Sequence, residues 1–299
     1  MKKQRVDLLL VERGLAESRA LAQRLVMAGQ VRVDGQVALK PSDKVAEGAE
    51  LTVDQGPRYV SRGGEKLEAA LQAFGLPLAG RVCADVGAST GGFTDCLLQH
   101  GANKVYAIDV GEGILDWKLR QHPQVVVMEG TNARYVERLP EAVSLVTIDA
   151  SFISLKVLLP VVKGWFSLTP GPSPMKGEGG TYPQPLPGRE GGTLTPNPSP
   201  TRGEGQAERG DVVALIKPQF EAGRQEVRRG KGVIRDPEVH RQVLLEVLEF
   251  AQGQGFGLKG LLRSPLLGPK GNVEFLAWLA WPGGETVAVE SALANLIVQ

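Results

Sequence analysis

From Arg81 onward the chain alternates between short apolar runs and helical stretches, and this rhythm admits few folds. RVCADVGA reads as a strand entering a glycine turn, and GGFTDCLLQHG as the helix after it. KVYAIDVG, VVVMEGT, LVTIDAS and DVVALIKPQ read as further strands. VHRQVLLEVLEFAQGQG carries apolar residues at helical spacing. Apolar strands alternating with helices imply an α/β fold, a doubly wound Rossmann-like parallel sheet covered on both faces. GNVEFLAWLAW reads as a final strand, with an antiparallel placement open.

One stretch fits none of this. Residues 168–205 hold nine prolines and nine glycines in 38 positions. TPGPSPMKGEG at 169–179 returns as TPNPSPTRGEG at 195–205. A repeat can signal a solenoid, but neither copy has an apolar face to stack. Such composition cannot offset the entropy of ordering. The segment 168–209 is therefore expected to be a disordered insert without chemistry, interrupting the domain that spans 65–299.

The first 55 residues read as a separate small α+β unit, joined by a linker at 56–64. DLLLVERG and SRALAQRLVMAG have helical spacing, with Ser18 as N-cap and Gly29 as stop. VRVDGQVAL reads as a hairpin turning at Asp34-Gly35, and ELTV as a last strand. Two domains suit 299 residues at roughly 100–200 residues each. In the linker GPRYVSRGG, Gly63-Gly64 is expected to allow movement.

Lys and Arg number 34 against 33 Asp and Glu, which excludes a uniformly basic coat but not a local basic patch. Cys83 and Cys96 lie thirteen residues apart with no histidine neighbour, so neither a zinc cluster nor a disulfide framework is expected. A reducing cytoplasm fits. Asp7, Glu12 and Arg13 break the apolar start, and no stretch approaches 18 uncharged apolar residues; no membrane association is expected. His100, His122 and His240 share no ligand spacing, so no metal is expected. Trp117 and Trp165 are expected to pack inside the fold.

The chemistry concentrates at strand ends. Asp85, Gly87, Ser89, Gly91, Gly92 and Phe93 follow the first core strand. Glycines let a backbone approach a cofactor, and the next helix presents unpaired amides. Such a turn alone could serve a dinucleotide, a methyl donor or tight packing. The order D-x-G-x-x-x-G-G-F departs from the dinucleotide fingerprint. A strand-end carboxylate suits the ammonium and sulfonium of S-adenosylmethionine, which the spacing favours. Asp109, roughly 20 residues past the turn, can bond ribose hydroxyls. Asn132 can both donate and accept, as an adenine edge requires, and is equally a helix cap. Lys66, Asp149, Lys217 and Glu274 also fall near element ends, where a parallel sheet faces its ligand.

Two resemblances follow. R-x-D-x-L-L-V-x-x-G-L-x-x-S-R-x-x-A-x-x-L-V-x-x-G-x-V-x-V-D-G over 5–35 resembles the S4-type RNA-binding domain. The resemblance implies binding of structured RNA through phosphate and 2′-hydroxyl contacts, with Arg5, Arg13, Ser18, Arg19 and Arg24 as the binding residues. The order Lys66, Asp149, Lys217, Glu274 is similar to the catalytic tetrad of FtsJ-like ribose 2′-O-methyltransferases. Together they resemble the TlyA family of ribosomal RNA methyltransferases, historically labelled hemolysins. SRGGEKLEAAL, DVGASTGGFTDCLLQ, IDASFISL and ALIKPQFEAG carry the likeness most specifically. It implies 2′-O-methylation of cytidine in small- or large-subunit ribosomal RNA, with S-adenosylmethionine as donor and ribosomal RNA or subunits as partner. The insert departs from the family pattern.

Ribose hydroxyls are poor nucleophiles, so the oxygen must be held in line with the methyl–sulfur bond. Lys217 either orients and deprotonates it or stays charged and only steers it. Segment 217–235 holds six basic residues against two acids, and Arg228, Arg229 and Lys231 are expected to meet phosphate. Three other functions compete: a membrane-active lysin, an RNA-binding module with an inactive methyltransferase domain, and a dehydrogenase.

Overall fold

The computed structural model describes residues 3–54, 56–166, 209–223 and 232–297. Of the expected insert, only Arg209 lies among them. The chain divides into two compact units, Met1–Val60 and Ser61–Gln299.

In the first unit, strand β1 (Lys3–Arg5) leads into helix α1 (Val6–Glu12) and then helix α2 (Arg19–Met27). Ser18 caps α2 by accepting from the Leu21 amide. Strands β2 (Val31–Val33) and β3 (Gln36–Val37) form a hairpin. Asp34 and Gly35 both take positive φ, 48° and 80°, the requirement of a tight primed turn. Strand β4 (Lys44–Ala46) pairs with β1, and β5 (Leu51–Val53) with β2. Val6, Leu9, Leu10, Ala22, Val26 and Val31 form the core.

The second unit opens with helix α3 (Gly63–Phe74) and continues with β6 (Val82–Val86), α4 (Gly92–Gln99), β7 (Lys104–Ile108), α5 (Trp117–Arg120) and β8 (Val125–Met128). Then come β9 (Leu145–Ile148), α6 (Leu155–Lys163), β10 (Gly210–Ile216) and the turn α7 (Pro218–Glu221). Helix α8 (Pro237–Gly253), strands β11 (Gly257–Arg263) and β12 (Phe275–Trp281), and helix α9 (Val289–Ile297) complete it. Seven strands lie in the order β11-β12-β10-β9-β6-β7-β8. All neighbours from β10 to β8 pair in parallel, and β12 runs antiparallel to both β10 and β11. The expected α/β sheet is thus present, with the last strand reversed. Reversal brings Glu274, just before β12, to the edge reached by the carboxyl ends of the parallel strands.

Three local expectations change. Gly63 and Gly64 form the first turn of α3 rather than a hinge. EKLEAALQAF is rich in strong helix formers, and the glycines serve close packing. A Cβ on Gly92 would stand 2.9 Å from the Gly64 nitrogen and would collide with the Ser61 hydroxyl. Strand β11, GLKGLLR, lacks clean alternation and was not legible; it forms by pairing with β12, with a bulge at Leu258–Gly260. Trp117 is 72% exposed, contrary to expectation, whereas Trp165 is buried and donates to the Val136 carbonyl at 2.8 Å. No described helix is long and apolar enough to cross a membrane.

Candidate active site

Strand order reverses direction between β6 and β9, and open α/β sheets bind ligands at such a switch point. There the segments following the two strands touch. A Cβ on Gly87 would lie 2.8 Å from the Asp149 carbonyl oxygen, and Gly87 has φ +82°. Both constraints demand glycine. Gly87→Ala is expected to lower unfolding stability by on the order of 3 kcal/mol; a urea midpoint equal to wild type would contradict this packing.

Gly91, the N-cap of α4 at φ +97°, has its Cβ position filled by the Leu119 and Leu115 side chains. It serves packing on α5 and does not line the cleft. Ser89 also has positive φ, and its amide donates to Asp109 Oδ2 at 2.8 Å. The Gly111 amide donates to Asp109 Oδ1 at the same distance. The half-buried Asp109 therefore ties the first turn to the turn after β7. Asn132 Oδ1 caps the short turn 133–135 through the Arg134 amide. Glu129 was not legible in the sequence. It accepts from the Arg120 guanidinium and from the amides of Gly113, Ile114 and Leu115. These bonds, Arg120 foremost, hold its carboxyl down at about 2.

Asp85 departs from expectation. Its side chain is fully buried, and its oxygens receive the Thr94 hydroxyl at 2.7 Å and the Thr147 hydroxyl at 3.0 Å. It does not line the cleft, and it braces β6 against α4 and β9. Burial pushes its carboxyl up to about 7, against the two threonine bonds. Between its ordinary value of 3.8 and about 7, the folded chain keeps a proton that the unfolded chain has lost. Stability therefore falls as pH rises through that window. Relative to Asp85→Asn, the wild type is expected to lose up to about 4 kcal/mol between pH 4 and pH 8. Urea titrations at several pH values check this; parallel curves for the two proteins would refute it.

A cleft of about 690 Å³ opens beside the Gly87–Thr90 turn. Lys66, Asp149, Lys217 and Glu274 all line it, as do Ser89, Gly92 and Phe93. Lys66 Nζ meets Glu274 Oε2 at 2.6 Å, and Lys217 Nζ meets Asp149 Oδ1 at 2.7 Å. Lys217 also donates to Ser151 Oγ at 3.0 Å and to the Asp149 carbonyl at 3.3 Å. Lys66, Lys217 and Glu274 are nearly buried, a cost that only pairing offsets. The four side chains are thus two ion pairs on one wall. Ser151, Gln219, Phe152 and Phe220, to which the sequence assigned no individual role, join them. The Gln219 Oε1 is buried with no partner among the described residues. Phe152 has φ +65°, is 91% exposed and lies 4.9 Å from the Phe220 ring. Such backbone strain in a non-glycine residue clusters at functional sites.

In the first unit, Arg5 and Arg19 both donate to Asp7. Arg13 is exposed and donates to the carbonyls of Glu47 and Ala49, which ties it to that loop. Ser18 is engaged as the α2 cap, and Arg24 is exposed. Arg228, Arg229 and Lys231 lie outside the described residues. Among the described residues no three His, Cys, Asp or Glu are grouped to hold a metal ion.

A doubly wound sheet with a glycine turn at its switch point and ion-paired lysines lining the adjoining cleft defines a methyltransferase-type domain. Residues 59–281 match the FtsJ-like methyltransferase model, and residues 4–51 match the S4 domain. The chain belongs to the FtsJ-like methyltransferase family and carries an S4 domain at its N-terminus. It is 42% identical over 282 residues to the 16S/23S rRNA (cytidine-2′-O)-methyltransferase TlyA of Mycobacterium tuberculosis, covering 93% of this chain and 90% of that one. It is 36% identical to Hemolysin A of Brachyspira hyodysenteriae, covering 91% and 98%. Among solved structures, a hemolysin-named protein from Streptococcus thermophilus superposes with a TM-score of 0.62 at 39% identity, covering 99% and 96%.

Proposed function

We propose that this protein methylates the 2′-hydroxyl of cytidine in ribosomal RNA, with S-adenosylmethionine as donor, in the cytoplasm. The observation that carries the reading is the pair of lysine–carboxylate contacts on the wall of the cleft beside the glycine turn. The donor fits this cleft. Gly87 and Gly92 bring backbone to its lining, and Phe93 supplies an apolar face. Beyond it, the half-buried Asp109 and Asn132 offer polar groups suited to a nucleoside. S-adenosylmethionine, when bound, supplies a methyl group on a sulfonium.

The chain's residues prepare the acceptor. As an ammonium, Lys217 has three protons, directed at Asp149 Oδ1, the Asp149 carbonyl and Ser151 Oγ. The 3.3 Å contact is the weakest and yields first to a ribose oxygen. Lys217 then fixes a lone pair of that oxygen in line for attack. The oxygen–carbon bond would form as the donor's carbon–sulfur bond breaks, and the hydroxyl proton would pass to Lys217 where its amine is neutral, or to water where Lys217 stays an ammonium and only steers. Glu274 holds Lys66 in register on the same wall. Positioning of this kind can remove about 7–11 kcal/mol of barrier.

The lysin reading draws on relatives' names alone and gives the paired lysines no task. The experiment is transfer of labelled methyl from S-adenosylmethionine to ribosomal subunits that lack the modification. Label in the RNA supports the reading. Absence of label, with donor binding intact, overturns the ribosomal substrate.

A further inference from the structure

We infer that Asp7 is a positioning residue for RNA binding, a carboxylate that holds Arg5 and Arg19 ready to receive phosphate. The inference rests on the RNA-binding reading of the first unit. Asp7 is fully buried. Its Oδ1 accepts from Arg5 Nε at 2.9 Å. Its Oδ2 accepts from Arg5 Nη2 at 2.9 Å, Arg19 Nε at 3.1 Å and Gln23 Nε2 at 3.0 Å. Three elements converge on one group: β1 brings Arg5, α1 brings Asp7, and α2 brings Arg19 and Gln23. These bonds hold the carboxyl far below its ordinary range, Arg5 contributing most. It stays charged at any working pH.

The arginines are not used up by this contact. The side chains of Arg5 and Arg19 remain 34% and 54% exposed. Asp7 engages Arg19 by its Nε and not by its terminal nitrogens, on a side chain that stays more than half exposed. Arg5 keeps Nη1. Beside them, Arg5, Gln23, Arg24, Pro41 and Ser42 line an open depression on the surface. A guanidinium is a rigid fork, so fixing one edge aims the other. Ordering a long side chain otherwise costs conformational entropy on binding. Asp7 meets that cost before RNA arrives, which is preorganisation.

Electrostatics alone predicts the opposite. Removing a carboxylate adds one net positive charge to a phosphate-binding face and strengthens binding. The sign of the change therefore separates the two. The test titrates full-length protein with ribosomal subunits lacking the modification, comparing wild type, Asp7→Asn, Arg5→Ala/Arg19→Ala and the triple variant. Asparagine keeps the shape and one carbonyl acceptor. Asp7→Asn is expected to weaken subunit binding about tenfold and to raise KM for subunits with kcat unchanged. In the background lacking both arginines, the same change is expected to have no effect. Equal or tighter binding by Asp7→Asn overturns the inference. So does a tenfold loss that persists without the arginines, because Asp7 would then act through folding of the unit. If the wild type itself fails to bind subunits, the RNA reading falls and takes this inference with it.

Discussion

Lys217→Ala is expected to lower the single-turnover rate of methyl transfer by about a thousandfold while leaving donor affinity within twofold. The reason is geometric. Lys217 Nζ sits 2.7 Å from Asp149 and 3.0 Å from Ser151, so its position is set before substrate arrives. Alanine removes the one group that fixes the ribose oxygen. Lys217→Arg is expected to rescue poorly, since a planar fork cannot reproduce three bonds converging on one nitrogen. The pH profile divides its two roles. A rate that climbs with pH to a plateau marks Lys217 as proton acceptor, and a flat profile marks it as a charged guide. A wild-type rate in Lys217→Ala would remove it from the mechanism.

Glu274→Ala is expected to cost about 3–5 kcal/mol of stability and to abolish measurable turnover. Glu274 is 1% exposed, and its side chain pairs with Lys66 at 2.6 Å. Removing it strands a nearly buried ammonium. Replacing both partners by apolar residues, Lys66→Met with Glu274→Leu, is expected to recover most of the stability because no buried charge is left unpaired. That double variant is expected to stay inactive. Melting temperature and methyl transfer, measured on both variants, separate the two consequences. A double variant as active as wild type would show that the pair only supports the fold.

The sheet was legible because its strands are apolar on both faces and its helices carry strict spacing. β11 was not, because its residues are a strand only through pairing with β12. The four paired residues were legible through their order along the chain, and the structure brings them to one cleft. Sequence position could not say which way a strand-end side chain points. Asp85 stands at such an end yet faces two threonines in the core. Arg13 caps the end of α1 yet turns to backbone carbonyls. Asp7 broke an apolar run and stood in the S4-like pattern, yet its role was silent, because three elements must meet before its bonds exist. Ser151, Gln219 and Phe152 lack any spacing of their own; only the approach of β9 and β10 makes them part of the site.

The central claim concerns which atom receives the methyl group. After transfer from labelled S-adenosylmethionine to unmodified ribosomal subunits, the RNA should be digested to nucleosides and the label located by mass spectrometry. Label confined to the ribose of cytidine, and lost in Lys217→Ala, is the predicted result. Label on a base, or ribose label undiminished in Lys217→Ala, would contradict the role given to the paired lysines.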